Sequence, residues 1–197
     1  MNPEIRKVAV FCKEKIDLET QNIIYEFNYA SMPLCVVDSV FSIGVKYESV
    51  TNVIHNVCGY FNLKKHHSSS DTLTKESEQI SVSEFKNLFK NLPFEEVASN
   101  IFKNRQRTST KNGILKVEAV LSFLDVLIKL DAEYFSDVNR LFANKEFENE
   151  IKKIPGQSSG ISLKYFFMLA GNDNLIKPDR MIMRFLGNVL NMEVKLE

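Results

Sequence analysis

Apolar residues recur at spacings of three and four from the start of the chain: Ile5, Val8, Phe11, Cys12, Ile16, Ile23, Ile24 and Phe27. That period predicts helix over 3–30, with a break near 17–20. Ser31-Met32-Pro33 then punctuates the pattern. The stretch 34–43 is apolar almost throughout, with Leu34, Cys35, Val36, Val37, Val40, Phe41 and Ile43, and is rich in β-branched residues. On local propensity such a run is compatible with a buried strand. Its helical neighbours, and the period through Val45, Val50, Val53, Ile54, Val57 and Phe61, favour helix. Gly44 is placed at the end of that helix, and Tyr47-Glu48-Ser49 near the start of the next.

Residues 64–80 are polar and Ser-rich and are read as a loop. Short helices follow: 83–89 with Ser83 as N-cap, then 93–102 opened by Pro93. A polar, basic connection over 104–113 leads into a strongly amphipathic helix at 114–130. Helices at 136–142 and 147–153, a Pro-Gly loop at 154–160, a helix at 161–170, a turn at 171–173 and a last helix from 178 to about 191 complete the chain. No repeat occurs, and outside 34–43 no alternating strand pattern occurs. The expected class is all-α.

Composition supports a packed core: of 197 residues, 44% are hydrophobic, and 15 Phe with no Trp put aromatic packing on Phe. The formal net charge is zero, which taken whole does not point to nucleic acid. Its distribution changes that picture. Five basic residues and no acid lie between positions 103 and 116; six basic residues against Asp173 and Asp179 lie between 151 and 186. Such asymmetry makes one positive face on a neutral protein, or merely a solvated helix surface. Cys12, Cys35 and Cys58 are widely spaced and odd in number, which argues against a disulfide framework or a metal cluster. The adjacent His66 and His67 have no third ligand at a metal-binding spacing. No apolar run reaches the ~18–20 residues that a bilayer requires. The expectation is a cytoplasmic monomer without metal.

The segment 154–185 carries the candidate chemistry. Gly156 and Gly160 permit backbone conformations closed to other residues, and a helix begins directly after them. Its free N–H groups make a natural phosphate site, with Lys152, Lys153 and Lys164 around it. Downstream, Lys177-Pro178-Asp179 sets a carboxylate at the first turn of the final helix. The helix N-terminus stabilises its ionised form there, and a plain capping role fits the same position.

Ile154-Pro155-Gly156…Gly160, followed after 19 positions by Asp179 in Lys177-Pro178-Asp179, resembles the signature of the helix-hairpin-helix DNA glycosylase superfamily, the endonuclease III-like proteins. The resemblance extends in architecture over about residues 30–190, with its specific motif confined to some thirty. It implies a two-lobed helical bundle: a lobe over 31–170 ending in the hairpin, and a second lobe from 1–30 plus 171–197 carrying Asp179 at the junction. It further implies that the hairpin holds a phosphate of double-stranded DNA and that the target nucleotide is flipped out. Asp179 would stabilise the positive charge developing at the anomeric carbon and activate water. Gly156, Gln157, Ser158, Gly160, Ser162, Lys164, Arg105, Arg107 and Arg180 are the expected DNA contacts. Tyr47 is the expected wedge in the gap left by the flipped base, with a core role equally open. Tyr25, Tyr29, Phe41 and Tyr165 are offered as further stacking faces.

The departures are informative. The loop Gly156-Gln157-Ser158-Ser159-Gly160 is longer than the family's Gly-x-Gly. Where bifunctional members carry a Schiff-base lysine this chain has Ser162, or Ile161 when the loop length is allowed for. Lys164 lies about 200° further around the helix from Ser162. A monofunctional enzyme without lyase activity is therefore expected, and the lack of a four-Cys cluster implies no iron–sulfur cofactor. The substrate would be a damaged or chemically modified base, met in repair or in defence against modified phage DNA. The alternatives are a non-catalytic helix-hairpin-helix nucleic-acid-binding module and a helical interaction protein.

Overall fold

A computed structural model of the chain describes residues 2–15, 29–67, 75–171, 175 and 180–194. All regular elements among these residues are helical, so the protein is all-α. Isolated bridges between Tyr29 and His66 and between Arg107 and Leu115 are the only extended pairings among them. No helix among the described residues is long and apolar enough to cross a membrane. The chain divides into two compact units, 1–24 with 177–197, and 25–176.

In the terminal unit, α1 (Pro3–Lys15) packs with α10 (Arg180–Leu190). Phe11 meets Phe185 edge-on at 5.9 Å, and Lys7 Nζ donates to the Leu190 carbonyl at 3.3 Å. The expected helix over 3–30 is described only as far as Lys15.

The larger unit is built around α2 (Met32–Phe41), every residue of which is buried. A helix without a polar face must sit inside, and this explains why its sequence shows no amphipathic period. Three long helices pack on α2: α3 (Tyr47–Phe61), α6 (Lys116–Lys129) and α9 (Ile161–Leu169). α4 (Val82–Asn87) also reaches it. Ser81, not Ser83, caps α4: Ser81 Oγ accepts from the Glu84 amide at 3.1 Å and Glu84 Oε2 accepts from the Ser81 amide at 2.9 Å. This reciprocal box is worth about 1 kcal/mol. Ser83 instead turns its amide and hydroxyl to the Glu133 carboxylate.

The predicted helix at 93–102 is a single α-turn, α5 (Phe94–Glu96), running into a π-turn at Val97–Ile101. The Phe102 amide closes that turn on the Val97 carbonyl at 3.0 Å. A 3₁₀ turn and α7 (Val138–Leu141) lead to α8 (Lys145–Lys153), whose N-cap Asn144 accepts from the Glu146 and Phe147 amides. Phe123, Phe147, Phe166 and Phe167 form an aromatic cluster with centroids 5.2–6.3 Å apart, locking α8 and α9 onto α6.

Candidate functional site

Helices α8 and α9 and the loop between them form a helix–loop–helix hairpin. Gly156 and Gly160 both take positive φ, +87° and +69°, where a side chain is strained. Gly160 is the N-cap of α9, which has no side-chain cap. The loop closes on itself: the Gln157 amide donates to the Ile154 carbonyl at 2.9 Å and the Gly160 amide to the Gln157 carbonyl at 3.0 Å.

At Gly156 the hairpin meets the basic loop. A Cβ there would lie 2.3 Å from Thr108 Cβ and 2.7 Å from its hydroxyl, so only glycine permits this approach. The Thr108 hydroxyl is buried against it with no hydrogen bond among the described residues. The basic loop is itself held by the Thr108 amide on the Ile114 carbonyl (2.9 Å) and by the Lys116 amide on the Gln106 carbonyl (2.8 Å). Two segments expected to contact DNA, some fifty residues apart in sequence, are thus neighbours in space.

The individual side chains sort differently from expectation. Gln157 and Ser162, each 2% exposed, face inward, and the Ser162 hydroxyl donates to Gln157 Oε1. The longer loop uses its extra polar residue to satisfy α9 from within, so the two side chains expected to contact DNA are withdrawn from the surface. Ser158 and Lys164 are exposed, and Lys164 has no ion pair among the described residues. Arg105 and Arg107 are exposed but share Glu95, at 2.7 and 3.9 Å, and Arg107 also donates to the Gly113 carbonyl. Such surface pairs hold only ~0–1 kcal/mol, and a phosphate can displace them. Lys152 and Lys153 pair with Glu148 and Glu150 on their own helix. Lys116 is 4% exposed, and its ammonium donates to the Phe41 and Ile43 carbonyls at 2.9 and 2.8 Å. Its charge therefore closes the C-terminus of α2 rather than adding to a positive face. Tyr25, Asp179 and the Arg180 side chain lie outside the described residues.

Of the residues offered as stacking faces, Phe41 is core, stacked on Phe102 at 5.5 Å. Tyr29 and Tyr165 belong to a buried polar cluster that the sequence pattern hid. Its centre is Asp38, 0% exposed. The Tyr29 hydroxyl donates to Asp38 Oδ2 and the Ser42 hydroxyl to Asp38 Oδ1, both at 2.6 Å. Tyr165, from α9, hydrogen-bonds with Ser42 and Asp38. Burial, and then the Asp38 charge, holds both phenols above the ordinary tyrosine range. Tyr47, 39% exposed at the first turn of α3, is close enough for its charge to add to that rise. The expected wedge thus stands at the surface end of this network. The available signal was one acid, Asp38, inside an otherwise apolar helix, with Ser39 beside it and Ser42 just past its end.

Comparison with curated proteins and with solved structures returns no match. Residues 6–197 match a family described as a domain of unknown function, DUF8548, and the chain belongs to that family.

Proposed function

We propose that this protein is a monofunctional DNA glycosylase that flips out and excises a damaged or chemically modified base, leaving an abasic site. One observation carries the DNA-binding half of this reading. Gly156 packs its main chain on Thr108, which sets the α8–α9 hairpin loop beside the basic loop carrying Arg105 and Arg107. The loop closes with its Gln157 and Gly160 amides and sets Ser159 Oγ on the Ile161 amide at 3.4 Å; the amides left over would meet one phosphate, and the neighbouring arginines would supply charge for the next. The catalytic half rests on the resemblance. Asp179, matched to the family's carboxylate by the sequence motif, is the residue that would stabilise the sugar cation and orient water. With Ser162 buried and engaged by Gln157, that position offers no nucleophile to an abasic site, in keeping with hydrolysis without strand cleavage. Repair and defence against modified phage DNA call for the same chemistry.

A non-catalytic nucleic-acid-binding module is the second reading. It is favoured by the self-closed hairpin loop and by the two arginines resting on Glu95.

The test is a panel of duplexes carrying alkylated, deaminated, oxidised or glucosylated bases, treated with alkali after incubation. The expected result is alkali-dependent cleavage of one class, reduced at least ~10²-fold in Asp179→Asn while duplex binding persists. Breaks without alkali would overturn the monofunctional reading. Salt-sensitive binding with no cleavage of any substrate would select the second.

A further inference from the structure

A cleft of about 330 Å³ opens between α3 and the exit of the π-turn, lined by Lys46, Glu48, Ser49, Asn52, Val53, Asn56, Lys103 and Asn104. Its walls are fixed. Asn56 Nδ2 donates to the Phe102 carbonyl at 3.3 Å, tying α3 to the end of the turn. The Phe102 ring is buried against Phe41 and Phe89. Directly after it, Lys103 takes φ +48°, and the Asn104 amide donates to the Ala98 carbonyl at 2.8 Å. The chain thus spends a strained backbone position to bring Lys103 to the cleft.

The ammonium groups of Lys46 and Lys103 have no ion pair or hydrogen bond among the described residues, whereas Arg105, Arg107, Lys152 and Lys153 are all paired. Two like charges lining one cleft, with Glu48 the one acid in the lining, repel each other, and an anion between them lowers that cost. Glu48 shares the lining, so the formal charge is +1, which matches the single negative charge of a phosphodiester better than a di- or triphosphate. Asn104 already accepts the Gln106 amide on Oδ1, which leaves its NH₂ as a donor, and Ser49 and Asn52 add further polar groups. Tyr47, the exposed aromatic of the first turn of α3, sits between Lys46 and Glu48 in sequence.

We infer that this cleft binds a phosphodiester of a nucleic-acid strand, as an anchor separate from the α8–α9 hairpin and beside Tyr47. The inference deepens the DNA reading above and rests on it for the identity of the strand.

The experiment uses the full-length protein and the double variant Lys46→Gln/Lys103→Asn, since Asn tolerates the left-handed backbone at 103. Dimethyl phosphate and thymidylyl-thymidine are titrated while the Asn52, Asn56 and Asn104 side-chain amides are followed by NMR. The expected result is saturable shifts at these amides, tighter for the dinucleotide, and abolished in the double variant. Shifts that are absent, or that persist in the double variant, overturn the inference. In parallel, duplex affinity is measured against salt. Losing the one phosphate held between the two lysines lowers the slope of log K against log salt by about 1. An unchanged slope overturns the strand anchor while leaving the hairpin reading intact. If the wild type binds no duplex, the DNA reading fails, and saturable titration by thymidylyl-thymidine alone then marks a free-dinucleotide site.

Discussion

Asp38 shows what a single carboxylate costs and contributes inside an apolar helix. Desolvating it is expensive, and the charge is tolerated only because Tyr29 and Ser42 donate to its two oxygens at 2.6 Å and Tyr165 joins from α9. Those partners are now committed. If Asp38 is removed, buried hydroxyls lose their acceptor and keep their desolvation penalty. Asp38→Ala is therefore expected to destabilise the protein by about 3–5 kcal/mol, because three neutral hydroxyls are left buried at ~1–3 kcal/mol each while the cost of desolvating the carboxylate is relieved. Tyr29→Phe, which deletes one donor and leaves the carboxylate its other partners, should cost only ~1–3 kcal/mol. Urea unfolding of the two variants checks the order. An Asp38→Ala protein within 1 kcal/mol of wild type would mean that the cluster is not the tie between α2 and α9 described here.

At the scale of elements, the hairpin depends on a contact that no helical period can announce. Gly156→Ala meets two penalties: a left-handed backbone costing ~1–2 kcal/mol and a Cβ driven into Thr108 costing ~1–3 kcal/mol. A combined loss of roughly 2–5 kcal/mol is expected. Placing the same substitution in a Thr108→Gly background relieves only the steric part, so the cycle should show coupling of about 1 kcal/mol or more. Strictly additive losses would mean that the two loops do not bear on each other. The same residues show what sequence reading reaches. α3 and α6 were legible because each buries one face, and the α9 start because two glycines and a Pro-Gly loop mark it. Helix α2 was ambiguous because a helix buried on all sides loses its period and looks like a strand. The α4 boundary was misplaced although Ser81-Val82-Ser83-Glu84 spells a capping box; choosing between the two serines needed the Glu84 side chain. The inward turn of Gln157 and Ser162, and the withdrawal of Lys116 to the α2 carbonyls, are tertiary choices, invisible to residue type. The cleft at Lys46 and Lys103 joins positions far apart in sequence, so no local motif marks it.

For the molecule as a whole, zero net charge conceals a division of labour between buried and surface charge. Asp38 and Lys116 act inside, while at the surface acids such as Glu95, Asp125 and Glu146 answer local cations. Two carboxylates of the 25–176 unit report on this in acid. Lys152 and Lys145 hold Glu148 down at about 2. At Asp137, burial pushes the carboxyl up, but the Glu133 and Tyr134 amides and the Arg140 guanidinium outweigh it and bring it below the ordinary range. Both groups bind a proton less readily folded than unfolded. Their stabilisation is therefore complete above the unfolded value near ~4 and drains away as pH falls through the lowered folded value. Glu148 is half-buried but pairs with lysines that are themselves exposed, so its share is small and screened by salt. Asp137, with two backbone donors at 2.8 and 3.1 Å, carries more. Asp137→Ala is expected to cost about 1–2 kcal/mol at pH 7, a fall in Tm of several degrees for a unit of this size. The gap to wild type should narrow as pH falls below about 4, as the wild-type carboxyl takes up its proton in turn. Thermal melts of both proteins from pH 7 to pH 2 decide the point. A gap that stays constant across that range would show that the side chain acts through packing, and that the charge on Asp137 contributes nothing to holding the Glu133–Asp137 turn.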